Sequence, residues 1–244
     1  MSGRFFRSAD ADTVVQKLCV KVIFEKNLIS EGDRILIAAS GGKDSTVLAW
    51  ALAAIRPALK INYALEALHI SGDFCECCKK ETLSQQLAEW GIPFNDLHVP
   101  IIGRLKEGRK MNCYWCSTQR RTELLKYAIE NGFNKIALGH HLDDIIETFF
   151  MNLCTKSSLE TMPIMLKYRK YPVTLIRPLA FLEEQQIIAC ADRHGILKAA
   201  CTCPFGVNSK RREFRRAIAA FTNETGLKPG DVKRAILRGV GSGE

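Results

Sequence analysis

The stretch ILIAASGGKDSTVLAWALAAI, residues 35–55, passes from a branched apolar run into a helical pattern, with Ser-Gly-Gly-Lys-Asp-Ser between them. The first part reads as a buried strand and the second as a helix. Gly41 and Gly42 let the backbone approach a ligand closely. The unpaired N–H groups at a helix start, with the helix dipole behind them, favour an anion. Lys43 adds a mobile cation, and Ser40 and Ser45 add hydroxyls. A glycine-rich turn with helix caps would account for Ser40 and Asp44 but leaves Lys43 unexplained. The loop therefore reads as a phosphate cradle, although both the Walker-type and the Gly-x-Gly-x-x-Gly fingerprints are missing.

Around this stretch, strand and helix patterns alternate. RILIAAS, NYALEALHI, FNDLHVPI, KIALGH and VTLIRPL read as five strands with helical patterns between them. Such β-α units predict an α/β, Rossmann-like fold, a parallel five-stranded sheet covered by helices on both faces. Ligands bind beyond the carboxyl ends of such strands, where the cradle sits. Residues 1–33 read as a helical extension closed by Gly32, 34–180 as the nucleotide-binding core, and 181–244 as a helical tail. There are no repeats or low-complexity segments.

The 244 residues carry Lys+Arg 35 against Asp+Glu 26, a net charge of +9. The excess is clustered in SKRREFRRA (residues 209–217), TQRR (118–121) and KYRKY (167–171). Solvated helix faces also carry such runs, but several clusters beside cysteine motifs point to a polyanion, and so to nucleic acid. The start, MSGRFFRSADAD, has charges and no apolar core, so no secretory signal is expected. The longest apolar run, residues 47–55, is about half of what a membrane span needs. A soluble, cytoplasmic protein with no membrane partner is the expectation.

The segment GHHLDDIIETFFMNL (residues 139–153) predicts an amphipathic helix with Leu142, Ile145, Ile146, Phe149, Phe150 and Leu153 buried. Asp143, Asp144 and Glu147 lie opposite, and Gly139, His140 and His141 mark the preceding strand end. Carboxylates in a first turn cap helices, and beside a triphosphate they also hold Mg2+. Of ten cysteines, Cys19, Cys154 and Cys190 stand alone in apolar surroundings and read as buried small hydrophobes. Cys113-x2-Cys116 precedes a helix running to about Gly132, and Cys201 and Cys203 follow far downstream. Paired thiols at a helix start readily ligate metal.

SGGKDS after a strand resembles the PP-loop of the N-type ATP pyrophosphatase superfamily, whose fold is adenine nucleotide alpha hydrolase-like. Members split ATP between the α and β phosphates and adenylate an oxygen. The further order is C-x-x-C followed by Arg-Arg, Gly-His-His-x-Asp-Asp, Ile-Arg-Pro-Leu (residues 176–179) and a distal cysteine before a basic helix. Over roughly residues 30–220 it is similar to the tRNA 2-thiocytidine synthetase family. The resemblance implies ATP on Ser40, Gly41, Gly42, Lys43, Asp44, Ser45, Gly139, His140 and Arg177, with Lys43, Asp44, Asp143 and Asp144 serving the chemistry with Mg2+. It implies a [4Fe-4S] cluster on Cys113, Cys116 and Cys203, the last chosen over Cys201 by its offset to the following Asn-Ser-Lys-Arg. It also implies tRNA on Arg120, Arg121, Lys210, Arg211, Arg212, Arg215 and Arg216. Sulfur would come from a cysteine desulfurase or as free sulfide; homodimerisation stays open.

Other readings stand beside this one. A four-thiolate zinc site from Cys113, Cys116, Cys201 and Cys203 fits the same spacing, as does a metal-free redox pair. Cys75, Cys77 and Cys78 depart from the family, as a persulfide relay, surface thiols or an auxiliary metal contact. The 2-thiouridine synthetases are related, but their cysteine clusters before the PP-loop are missing, since only Cys19 precedes it here. The tRNA lysidine synthetases share the PP-loop but need no cysteine set. A nucleotide-sensing nucleic-acid-binding module would use cradle, metal site and basic patch without chemistry.

Overall fold

The computed structural model describes residues 11–74, 80–196 and 210–241. In chain order these form α1 (Ala11–Glu25), β1 (Arg34–Ala38), α2 (Lys43–Ala54), the helical turn α3 (Arg56–Leu59), β2 (Ala64–Gly72), α4 (Lys80–Glu89) and β3 (Phe94–Val99). They continue with α5 (Cys113–Glu130), β4 (Lys135–Ala137), α6 (Leu142–Lys156), β5 (Met165–Lys167), β6 (Thr174–Ile176), α7 (Glu184–Arg193), α8 (Lys210–Thr225) and α9 (Pro229–Gly241). The sheet order is β3-β2-β1-β4-β6-β5. The five expected strands are present and parallel; a sixth, β5, adds antiparallel to β6 at the edge. Its three exposed residues, two before the basic KYRKY run ends the hairpin arm, carry no alternation from which a strand could be read.

Strand β1 is central and pairs Ile35 with Leu65 on one side and with Lys135 on the other. The sheet grows outward in both directions from β1 and β4, which makes their carboxyl ends a topological switch point. Alternate strand residues feed two cores. Ile35 and Ile37 pack with α1, α2, α4 and α7, whereas Leu36, Leu68 and Ile136 pack with Leu124 and Ala128 of α5. Helix α2 is buried without a break from Ser45 to Leu52, so it needs its all-round apolar surface. At the opposite, amino-terminal edge of the sheet, buried Lys135 is satisfied by Asp33 (2.6 Å) and the Leu28 carbonyl (2.6 Å). Among the described residues, no helix is long and apolar enough to cross a membrane.

Two expectations need correction. Only the first half of the expected apolar stripe on α6 is buried: Leu142, Ile145 and Ile146 are enclosed, Phe149 and Phe150 are half-covered, and Leu153 is exposed. Cys154 emerges with it and is exposed, unlike Cys19 and Cys190, which are fully buried. The physical reason is that the second half of α6 is not covered by neighbouring elements, and helical spacing alone does not reveal where a helix loses its cover.

Candidate active site

The loop between β1 and α2 is tied by its own hydroxyls. Ser40 N donates to Ser45 Oγ at 3.1 Å, and Ser45 Oγ donates to the Gly42 carbonyl at 3.0 Å. Gly41 has φ +77°, a conformation that favours glycine. Across from it, Gly139 at the end of β4 lies so close that a Cβ there would stand 2.9 Å from Ser45 N and 3.0 Å from the Asp44 carbonyl carbon. The second glycine is therefore what lets the two strand-end loops meet. Buried His69 lies beneath the loop, with Nδ1 2.7 Å from the Ala39 carbonyl. Its Nε2 has no partner among the described residues, and burial lowers its pKa.

Carboxylates and cations interlock on one flank. Lys43 Nζ lies 2.9 Å from Glu184 and 3.0 Å from Asp44. Burial lowers its pKa, but these two partners outweigh that and raise it. Asp143 Oδ1 receives Lys233 Nζ of α9 at 2.6 Å, and its Oδ2 receives the Glu184 N–H at 2.8 Å. Burial opposes its ionisation, yet His141, Lys233 and that N–H hold its pKa well below the carboxylate range. Asp144 accepts from His141 N (3.1 Å) and lies 3.4 Å from Arg211. Glu147, expected beside the other carboxylates, is almost fully buried and meets Arg215 at 2.5 Å. Burial raises its pKa against the pull of that arginine. Arg211 and Arg215, expected to contact RNA phosphates, make ion pairs on this flank but stay half-exposed, and Arg216 is exposed.

The other flank is a cavity of about 570 Å³ above the sheet. Leu68, Ile70, Leu124 and Ile136 give it an apolar floor, and Ser40, Arg120, Arg121, Arg177 and His140 bring polar groups to it. Arg177 is buried; it donates to the Pro163 carbonyl, and its Nε stands 3.4 Å from His140 Nδ1. Burial and then the Arg177 charge pull the His140 pKa down to about 4. Burial and then Arg121 pull that of Arg177 down to about 10. Arg120 Nε is buried without a hydrogen-bond partner among the described residues.

Cys113 and Cys116 open α5, one turn before Ser117, Arg120 and Arg121 on the cavity wall. Asn112 caps this helix by accepting from Trp115 N at 2.9 Å, and the Trp115 indole donates to the Ile101 carbonyl at 3.1 Å. The cap places Cys113 in the open and Cys116 half-buried at the same helix end. Cys75, Cys77, Cys78, Cys201 and Cys203 lie outside the described residues, as do the side chains of Lys210 and Arg212. Two thiolates at a helix start suit a soft, thiolate-bound metal centre completed by a distal cysteine. A separate trio, Asp12, Cys190 and His194, lies within 4.8 Å between α1 and α7. Its members already satisfy one another: His194 Nε2 is 2.9 Å from Asp12 Oδ1, and Arg193 is 3.5 Å from Asp12 Oδ2. This reads as a tie between the two helices.

Glu183, Glu184, Lys233 and His69 belong to the site or its wall and escaped the sequence reading. Glu183 and Glu184 carry only the ordinary signature of a helix start, and Lys233 only that of a basic helix face.

A family model described as a PP-loop domain matches residues 12–199. A tRNA-cytidine(32) 2-sulfurtransferase of Syntrophotalea carbinolica is 34% identical over 216 residues, covering 86% of this chain and 83% of that protein. The enzyme of the same name from Geobacter metallireducens is 32% identical over 223 residues, covering 90% and 86%. Among solved structures, the U34-tRNA thiolase NcsA from Methanococcus maripaludis with its [4Fe-4S] cluster superposes with a TM-score of 0.78 at 22% identity, covering 95% of this chain and 79% of that one. The NH3-dependent NAD synthetase from Campylobacter jejuni gives a TM-score of 0.54 at 14% identity, covering 96% of each. These two likenesses are of fold.

Proposed function

We propose a function from the premise that the chain belongs to the PP-loop family and, within it, to the tRNA-cytidine 2-sulfurtransferases. It is an ATP-dependent tRNA sulfurtransferase, and its substrate base is a cytidine of the anticodon loop. The observation that carries this reading is the meeting, around one cavity, of the Ser40–Ser45 cradle and the helix that starts with Cys113 and Cys116.

In this reading ATP lies on Ser40, Gly41, Gly42, Lys43, Asp44 and Ser45, with Gly139, His140 and Arg177 opposite. The cytosine oxygen attacks the α-phosphate, and the bond to the β-phosphate breaks, releasing pyrophosphate. Lys43 leaves its carboxylate partners to stabilise the charge that builds on the phosphates. Asp44 and Asp144 would hold Mg2+ beside the polyphosphate, a role that suits hard oxygen ligands, and Asp143 would join them on releasing Lys233. Sulfide then attacks the activated carbon and expels AMP, which carries the original oxygen away. A [4Fe-4S] cluster, which Cys113, Cys116 and Cys203 would hold, would supply that sulfide. His140 stays neutral through the physiological range and so presents an uncharged nitrogen to the cavity beside Arg177. The apolar floor excludes water, which would otherwise hydrolyse the adenylated base. Arg120, Arg121, Lys210, Arg211, Arg212, Arg215 and Arg216 steer tRNA phosphates towards the site, and an anticodon-loop base leaves its stack at low cost.

The test is anaerobic reconstitution with iron and sulfide, incubation with ATP and tRNA, and mass spectrometry of the digested nucleosides. The expected product is 2-thiocytidine, abolished in Cys113→Ser and Cys116→Ser while ATP binding survives. Sulfide alone and a cysteine desulfurase with cysteine, supplied in separate reactions, distinguish the two donors. Stoichiometric zinc and no thiolated base would overturn the reading in favour of a structural metal.

A further inference from the structure

Lys43 is the cation that should meet ATP, yet its Nζ lies 2.9 Å from Glu184 Oε1. The second oxygen of the same carboxylate, Oε2, accepts from Arg215 Nη1 of α8 at 3.0 Å. One side chain thus joins the phosphate cradle to the basic helix. Its position is anchored, because the Glu184 N–H donates to Asp143 Oδ2 at 2.8 Å where α7 begins. Arg215 is held from its other side by Glu147 at 2.5 Å. A carboxylate repels a triphosphate unless a cation covers it, so Glu184 needs one of its two cations in every state.

We propose that Glu184 is a positioning residue that couples nucleotide binding to the placement of α8. Without ATP it holds Lys43 back and divides its charge between two cations. When the phosphates take Lys43, Glu184 is left to Arg215 alone, that pair tightens, and α8 closes on the loaded cradle. The inference deepens the ATP-using reading above and rests on it. It gives the basic run two duties, since Arg211 and Arg215 pair with the site's carboxylates while staying half-exposed beside the exposed Arg216.

The experiment uses the full chain, Mg2+ and α,β-methylene-ATP, which is not cleaved between those phosphates. Trypsin cleavage after Arg211, Arg212, Arg215 and Arg216 is timed by mass spectrometry, and analogue affinity is measured by calorimetry. Half-exposed ion pairs are individually weak, so the analogue should slow cleavage of the native chain about fivefold. In Glu184→Gln the slowing should vanish, and the analogue should bind up to about fivefold more tightly because Lys43 then keeps only Asp44 as a partner. In Arg215→Gln cleavage at the remaining sites should also lose its nucleotide dependence, but affinity should not tighten, because Lys43 keeps its partner. A merely structural Glu184 would move neither readout in this pattern. Native cleavage indifferent to the analogue, or slowing retained in Glu184→Gln, would overturn the proposal. Should Glu184→Gln fail to fold, the same two readouts on Arg215→Gln decide. Slowing without any thiolated base would sink the functional reading and leave the coupling; thiolation without slowing would sink the coupling alone.

Discussion

The two flanks of the site treat positive charge in opposite ways. On one, Lys43, Arg211, Arg215 and Lys233 each meet a carboxylate, at 2.9, 3.4, 2.5 and 2.6 Å. On the other, Arg120, Arg121 and Arg177 line the cavity beside the paired Arg211 and form no ion pair among the described residues; of these three only Arg177 is buried. Charge neutralised internally reaches a ligand only by exchanging partners, as Lys43 would have to in the proposed reaction. Buried charge without a counter-ion is costly, and an anionic ligand removes that cost. The paired flank can answer an anion only by rearranging, whereas Arg177 on the other flank is already without a carboxylate partner.

The sharpest way to break this contrast is Lys43→Ala. Loss of one preorganised cation at the reacting phosphate should lower tRNA-dependent pyrophosphate release by about a hundredfold to a thousandfold. A fall below about threefold would move the electrostatic work to the cavity arginines. Gly139→Ala comes next, because its Cβ meets the backbone of Asp44 and Ser45 at 2.9–3.1 Å, and backbone cannot turn aside. Overpacking there should cost about 1–3 kcal/mol in urea unfolding and weaken ATP binding together. Unchanged stability would mean that the two loops are not held against each other.

Arg177→Ala tests the unpaired flank. It should weaken ATP binding about tenfold by calorimetry, in the range of a charged hydrogen bond. It should also raise the His140 pKa, since the Arg177 charge is the second cause of its depression after burial. An NMR titration of the ring reads that shift, and an unmoved His140 would detach it from Arg177.

The smallest effect is the opposite titration of two neighbours, measured as melting temperature in magnesium-free buffer. His140, held near 4, refuses a proton that the unfolded chain accepts at about 6.5. Its contribution therefore falls as pH drops from about 6.5 towards 4. His141 is raised: burial acts against this, but Asp143, Asp144 and Asp44 prevail. Its contribution is complete below about 6.5 and is lost as pH rises through its folded value. His140→Asn should flatten the acid slope, and His141→Asn should remove the loss of stability that sets in as pH rises through the raised His141 value. Parallel slopes in both variants would refute the contrast.

Much of the paired flank was legible one residue at a time. Ser40 to Ser45 announce a cradle because strand end, glycines, lysine and helix start are contiguous, and Gly139 with His140 marks the facing strand end. The ion pairs of Arg211 and Arg215 with Asp144, Glu147 and Glu184 were not legible. A basic run has the same composition whether it faces RNA or a neighbouring carboxylate. Nor did periodicity show that Phe149 to Cys154 leave the core, because the stripe continues after the packing partner ends.

By itself, the sequence determined the α/β class, the strand–loop–helix carrying Ser40 to Ser45 and the cysteine-bearing helix start, since each is set by local residue order and hydrophobic period. Tertiary structure alone decided that Glu184 meets Lys43 from 141 residues away and that Lys233 meets Asp143 from 90. Partners so distant leave no period or spacing in the chain, and only the packing of α7, α8 and α9 against the switch point brings their charges together.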